Sequence, residues 1–503
     1  MHAGGAFVKR HVALVAAAST LALHLIANPH YGFFRDELYF IVCGFRPDWG
    51  YVDQPPLVPL LSAGTQLLGT SLFLLRALAA LFAAASVYVA VLFAAELGAG
   101  EFAQALTALL VAFVPVLNSF GTKVSTDMPG LFLWPLIALL VARIANGASP
   151  RLWIWAGVAF GIAAEAKYTV VFYGVALLTG LALTPLRRIL RTPWLVAAAA
   201  AGIAIALPNF LWQWAHGWPF LEMIADQQRS EVLMHSPAGY LVQQILITNP
   251  MLAPIWIAGL VYAFARPELR WIAWTYAVLI AFMILGHGRN YYPGDVYPLL
   301  LAAGALAIER TVALNRFRPA IVTAIALASA LTIPFVFPVM AEAQLAATIA
   351  AGQRIVSLHL VSVKNGYAPI TQTFADMHGW PKLAATVAAV YRALPPRQRA
   401  RAAILAKNFG EAAAVDVYGK PYGLPPALSG RNNYWLWGTH GYDGSVVVEV
   451  DGTCGPDFRS ARVAVSRFYD RWAMPSEDGI PISVCYGLKE PLAQYWPKLK
   501  TFI

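Results

Sequence analysis

A chain of 503 residues that is 59% hydrophobic and 12% charged, against about 25% charged for a soluble protein, does not hide its apolar residues in one water-soluble core; with a mean hydropathy of +0.58 it is expected to cross a membrane many times. The net charge of +10 does not point to nucleic acid, because the basic residues sit in short tufts between apolar runs, as orientation signals do. Three cysteines exclude a disulfide framework: Cys43 is isolated, and Cys454 with Cys485 can pair if the tail is exported.

Lys9 and Arg10 precede an apolar run over 12–27. No small-x-small cleavage site precedes Tyr31, so the run is expected to be a retained first helix and not a cleaved signal. Apolar stretches near 12–28, 71–96, 102–119, 128–145, 152–167, 169–186, 194–212, 250–265, 270–286, 296–312 and 319–338 predict eleven spans. Each must be helical, because the bilayer offers no water to backbone groups. With Lys9 in the cytoplasm, the arginine tufts at 143–151, 187–191, 266–270 and 310–318 fall on the same side, and only the loop around Gly98 lacks them. The opposite loops carry the mixed charges: Asp36, Glu37 and Asp53; Lys123 and Asp127; Lys167; Glu222, Asp226, Arg229 and Glu231; Arg289 and Asp295.

The first outer loop, 29–70, contains two apolar stretches, 33–45 and 57–68, that predict short helices along the membrane surface with Pro55-Pro56 between them. The loop 213–249 follows Trp212 and holds Trp214 and Trp218, residues suited to an interface. After about residue 340 charge rises and long apolar runs stop. Strands at 401–407, 444–450 and 461–465 and a helix at 411–418 predict a compact α/β domain over 340–503, beside a membrane domain over 1–339.

Charge is rare enough here for each outer-face ion to be a candidate. Asp36 and Glu37 are adjacent on a helix and point about 100° apart, so they do different jobs. One carboxylate can accept a proton from an attacking hydroxyl, while the other caps the helix, pairs with Arg35 or binds a cation; a solvated acidic patch is the plain alternative. Asp53-Gln54-Pro55-Pro56 holds a polar pair on a stiff backbone, or simply starts a helix. Asp127 opens a span and suits both a site and a cap. Lys167 at a helix end either snorkels or meets an anion. Arg289 beside Tyr291 and Tyr292 can clamp a phosphate or belong to an aromatic belt, and His287 reads as an interfacial residue. No phosphate-binding loop, dinucleotide fingerprint, zinc spacing or nucleophile elbow is present.

The runs FRDELYF, GYVDQPPL, TDMPG, AKYT and GRNYYPGDVYPLL, in that order, resemble bacterial membrane glycosyltransferases of the protein mannosyltransferase and aminoarabinose transferase type, with the GT-C fold of glycosyltransferase families 39 and 83. The likeness covers roughly 10–310, and NFGEAAAVDVYGKPYGLPP with SGRNNYWLWG resembles the exported domain of a bacterial subgroup. The resemblance implies a polytopic α-helical protein with an exported α/β domain, in the bacterial inner membrane. It would move a sugar from a polyprenyl-phosphate donor to an envelope lipid, glycan or protein on the outer face. It assigns Asp36, Glu37 and Asp127 to the reaction centre and Asp53, Gln54, Lys167, Arg289, Tyr291 and Tyr292 to substrate binding. Members often carry His where Gln54 stands. An inverting displacement with Asp36 as base follows, with no cofactor required and a divalent metal possible. A transporter of lipid-linked sugars is the competing class, and a non-catalytic scaffold a third.

Overall fold

The computed structural model describes residues 2–230, 236–356 and 369–502; Glu231, one of the outer-face charges, lies outside them. The chain forms two compact units. One comprises Met1–Asn28, Phe73–Trp212 and Glu231–Val339; the other comprises Pro29–Leu72, Gln213–Ser230 and Met340–Ile503. The first outer loop and the Pro219–Ser230 helix thus share a unit with the tail, not with the helices they interrupt.

The first unit is helical. It holds a large apolar core, with Trp134 stacked on Tyr173 at 4.4 Å. Small residues let helices approach closely. A Cβ at Gly259 would stand 2.1 Å from the Leu300 carbonyl oxygen, and one at Gly304 2.2 Å from that of Ile255, so helices Ala253–Ala265 and Tyr297–Arg310 meet backbone to backbone.

Three described helices are long and apolar enough to cross a membrane: Leu72–Glu96, Pro193–Ala215 and Val312–Val336. Glu101–Phe113 and Pro115–Gly121 make a fourth only as one bent span. The sequence predicts an unbroken helix over 102–119, but the chain bends by 63° there. Pro115 has no N–H to donate and its ring clashes with the preceding turn, while Val114 turns extended. Six further apolar helices have 10–17 residues, shorter than the roughly 20 needed to span hydrocarbon, so helix length does not by itself yield the eleven crossings expected.

In the second unit, the short helices predicted over 33–45 and 57–68 are present as Arg35–Gly44 and Leu57–Thr65. The tail carries a mixed sheet of β1 (Ala402–Ala406), β2 (Leu428–Ser429), β3 (Val446–Val450), β4 (Phe458–Arg467) and β5 (Pro481–Leu488), in the order β2-β1-β3-β5-β4. The first two junctions are parallel and the last two antiparallel. Helix Phe409–Tyr418 follows β1, and Asn408 caps it, accepting the Glu411 N–H at 2.9 Å. Strands β2 and β5 and helix Trp380–Arg392 were not among the predicted elements.

Cys454 and Cys485 form a disulfide across 31 residues. Closing a loop of that length restricts the unfolded chain by about 3–4 kcal/mol. Adding dithiothreitol should therefore lower the thermal midpoint of the tail, and an unchanged midpoint would show that the bond adds nothing to stability.

Candidate active site

The first unit brings together three of the predicted stretches. Asp127 lies in the turn before helix Gly130–Ala145 and accepts the Gly130 N–H on its backbone oxygen at 2.9 Å. Lys167 sits between helices Leu152–Ala164 and Thr169–Ala182. Its Nζ donates to Asp127 Oδ1 at 2.6 Å and lies 5.1 Å from the Tyr291 ring centroid and 4.5 Å from that of Tyr292. A lone lysine at a helix end would snorkel outward. This one is 20% exposed and is held by a carboxylate and two aromatic faces. Three N–H donors on one ammonium leave capacity for an anion beside Asp127.

The loop that carries both tyrosines is fixed through its carbonyls. Tyr240 donates its hydroxyl to the Arg289 oxygen at 3.1 Å, and Gln244 its amide to the Asn290 oxygen at 2.9 Å. Tyr297 in turn donates to Gln244 Oε1 at 2.8 Å. Burial pushes the Tyr291 phenol up to about 12, opposed by the charges of Lys167 and Arg289. Asp295, absent from the predicted site, belongs here too. It is 4% exposed, and its Oδ2 lies 1.9 Å from where a Cβ on residue 130 would stand, so the turn after Asp127 accepts glycine alone. A carboxylate at the start of a helix is favoured by the helix dipole.

The second unit holds the remaining predicted residues. In helix Arg35–Gly44, Glu37 is fully buried and accepts the Phe34 N–H on Oε2 at 2.8 Å. It closes the helix N-terminus with no part of its surface exposed. Asp36 points elsewhere, with 35% of its side chain exposed and Oδ1 at 3.2 Å from Arg35 Nε. Gln54 is 1% exposed, with its amide 4.0 Å from Cys43 Sγ.

Asp53 is held at both oxygens. Tyr39 donates to Oδ1 at 3.1 Å and Asn432 to Oδ2 at 3.2 Å. Asn433 fixes the same loop, accepting the Val52 N–H at 2.7 Å and donating its own N–H to the Tyr39 hydroxyl at 3.2 Å. Tyr39, Asn432 and Asn433 were not predicted as site residues. The RNNY run was the available signal, but nothing local shows that it meets residue 53.

Burial pushes the Asp53 carboxyl up to about 7, with Asp36 adding to the shift and the bonds from Tyr39 and Asn432 opposing it. The folded chain therefore holds this proton more tightly than the unfolded chain, and the stability tied to it is lost as pH rises through about 7. Asp53→Asn cannot titrate. Its melting temperature should match that of the natural protein below about pH 4 and exceed it by a growing margin from there to about pH 7; a constant difference across that range would contradict this.

Residues 53–212 match the family described as dolichyl-phosphate-mannose-protein mannosyltransferase. The chain is 27% identical over 186 residues to the lipid A galacturonosyltransferase RgtD of Rhizobium johnstonii, a stretch that spans 37% of this chain and 39% of that relative. Its fold is similar to that of ArnT from Cupriavidus metallidurans in the apo state, with a TM-score of 0.61 and 17% identity over 94% of this chain and 97% of that one. The structure of the same protein bound to undecaprenyl phosphate is similar with a TM-score of 0.59 and 15% identity, over the same shares of both chains. The matched stretch and the shared fold make this chain similar to GT-C membrane proteins of the protein mannosyltransferase and aminoarabinose transferase type.

Proposed function

We propose that this protein transfers a sugar from a polyprenyl-phosphate donor to a lipid, glycan or protein of the envelope, on the outer face of the bacterial cytoplasmic membrane. The observation that carries the reading is the Lys167 ammonium, fixed by Asp127 beneath Tyr291 and Tyr292 at a helix end. That is a preorganised cation for a lipid phosphate. The fold shared with ArnT bound to undecaprenyl phosphate supports the donor class, and the lipid A galacturonosyltransferase relative supports an envelope acceptor. The disulfide of the tail suits an oxidising compartment, and the arginine tufts suit the opposite side.

In this reading the acceptor hydroxyl attacks the anomeric carbon and the bond from that carbon to the phosphate oxygen breaks, with inversion. Asp36 takes the hydroxyl proton. Lys167 and Arg289 stabilise the charge that develops on the leaving phosphate. Between Asp36, assigned to the reaction centre, and Asp53, assigned to substrate binding, Asp36 is the accessible carboxyl, because Asp53 is bonded at both oxygens. The scheme requires no metal; loss of turnover on chelation would add one to it.

Native mass spectrometry of the purified protein with undecaprenyl phosphate tests the donor assignment. The natural protein should retain the lipid, and Lys167→Met should weaken binding about tenfold or more. Equal retention by both would remove Lys167 from the phosphate site.

A further inference from the structure

Arg35 is the first residue of its helix, and residues of the tail surround it. Its backbone N–H donates to the Asp376 oxygen at 3.0 Å. Its side chain places Nε 3.2 Å from Asp36 Oδ1 and Nη1 4.0 Å from Asp376 Oδ1, with Cζ 5.2 Å from the Phe409 ring centroid. The next residue after Phe409 is Gly410, where a Cβ would stand 2.4 Å from Arg35 Cγ. The arginine stem thus lies flat on the start of helix Phe409–Tyr418.

Behind it lie Asp376, 2% exposed, and Glu477, 7% exposed. Glu477 accepts from Asn408 Nδ2 at 3.1 Å, and the same amide reaches Glu411 Oε1 at 2.8 Å. Glu411 is fully buried and accepts the Lys407 N–H; Lys407 Nζ in turn reaches Asp451 at 2.7 Å. The charges facing Arg35 are therefore Asp36, Asp376 and Glu477, and those facing Glu477 are Arg35, Asp376, Asp451 and Glu411. Burial alone would lower the guanidinium; the surrounding carboxylates hold it above its ordinary value instead.

A free guanidinium beside a carboxylate turns to a two-point pairing that occupies both oxygens. Here only Nε meets Asp36, and Asp36 Oδ2 accepts no bond among the described residues. We infer that Asp376 and Glu477 are positioning residues: they draw the Arg35 fork toward the tail, so that Asp36 keeps one oxygen open for the acceptor hydroxyl. The C-terminal domain then completes the proton-accepting end of the site. The kinetic consequence rests on the transferase reading of Asp36, whereas the contact itself can be tested without turnover.

The test is modification of Arg35 by phenylglyoxal in the full-length protein, followed by peptide mass spectrometry. Glu477→Gln combined with Asp376→Asn should speed labelling of Arg35 about fivefold or more, and restoring Glu477 alone should bring back part of the protection. Gly410→Ala keeps every charge but pushes on the stem, so it should also speed labelling, and it decides the matter if the charge variants do not fold. With turnover, the double variant should lower kcat and leave the donor KM unchanged. Unchanged labelling of Arg35 in folded variants would overturn the inference. Inactivity of the natural protein would count against the transferase reading alone, since labelling still reports the contact.

Discussion

Asp36→Asn should leave the protein folded in the membrane and lower kcat by about 10²–10⁴-fold, the range for loss of a general base. The side chain is 35% exposed and closes no cap or core, so the change removes a proton acceptor and little else. Arg35 keeps Asp376 as a partner, and an asparagine oxygen still accepts from Nε. Glu37→Gln provides the contrast. Its Oε2 takes the Phe34 N–H at the helix start, and the residue is fully buried. That variant keeps an acceptor for the Phe34 N–H, so it should change stability by less than about 1 kcal/mol with kcat little changed. Near-normal turnover in Asp36→Asn, or a collapse of kcat in Glu37→Gln at retained stability, would reverse the two roles.

Lys167→Met should produce two separable losses. Without its cation, the leaving phosphate loses electrostatic stabilisation, and turnover should fall about 10²–10³-fold. Without its partner, Asp127 is left 10% exposed with an uncompensated charge. Breaking one side of such a pair costs about 3 kcal/mol, the lower end of the buried range, because Lys167 itself is 20% exposed. The double variant Asp127→Asn/Lys167→Met removes both charges. It should recover most of the thermal stability and none of the activity. Recovery of both would mean that the pair serves only the fold; recovery of neither would place Asp127 in a contact beyond Lys167.

Much of the first cluster was legible because ions are scarce in the apolar part of the chain. Asp127, Lys167 and the Tyr291-Tyr292 pair each interrupt an apolar run, and any ion there must find a partner. Asp295 was visible in the same run but gave no sign that its carboxylate packs on Gly130. The adjacency of Asp36 and Glu37 required that they diverge, but not which one turned inward. A glutamate at the third helical position, three residues after Phe34, matches the spacing of a helix cap and was the unused signal. Asn432, Asn433, Asp376 and Glu477 lie in a tail of ordinary polarity, where no single polar residue stands out, and their partners are set by tertiary packing. The bend at Pro115 was readable from the proline, whereas the shortness of several apolar helices was not, since hydropathy does not mark where a helix stops.

The central claim is turnover, and reconstituted vesicles test it most directly. The full-length protein is supplied with synthetic polyprenyl-phosphate sugars and an envelope extract as acceptor. The account predicts that free polyprenyl phosphate is released only when the acceptor is present, and that Asp36→Asn abolishes the release. Movement of intact lipid-linked sugar across the vesicle, with no release of free lipid phosphate under any acceptor, would contradict it.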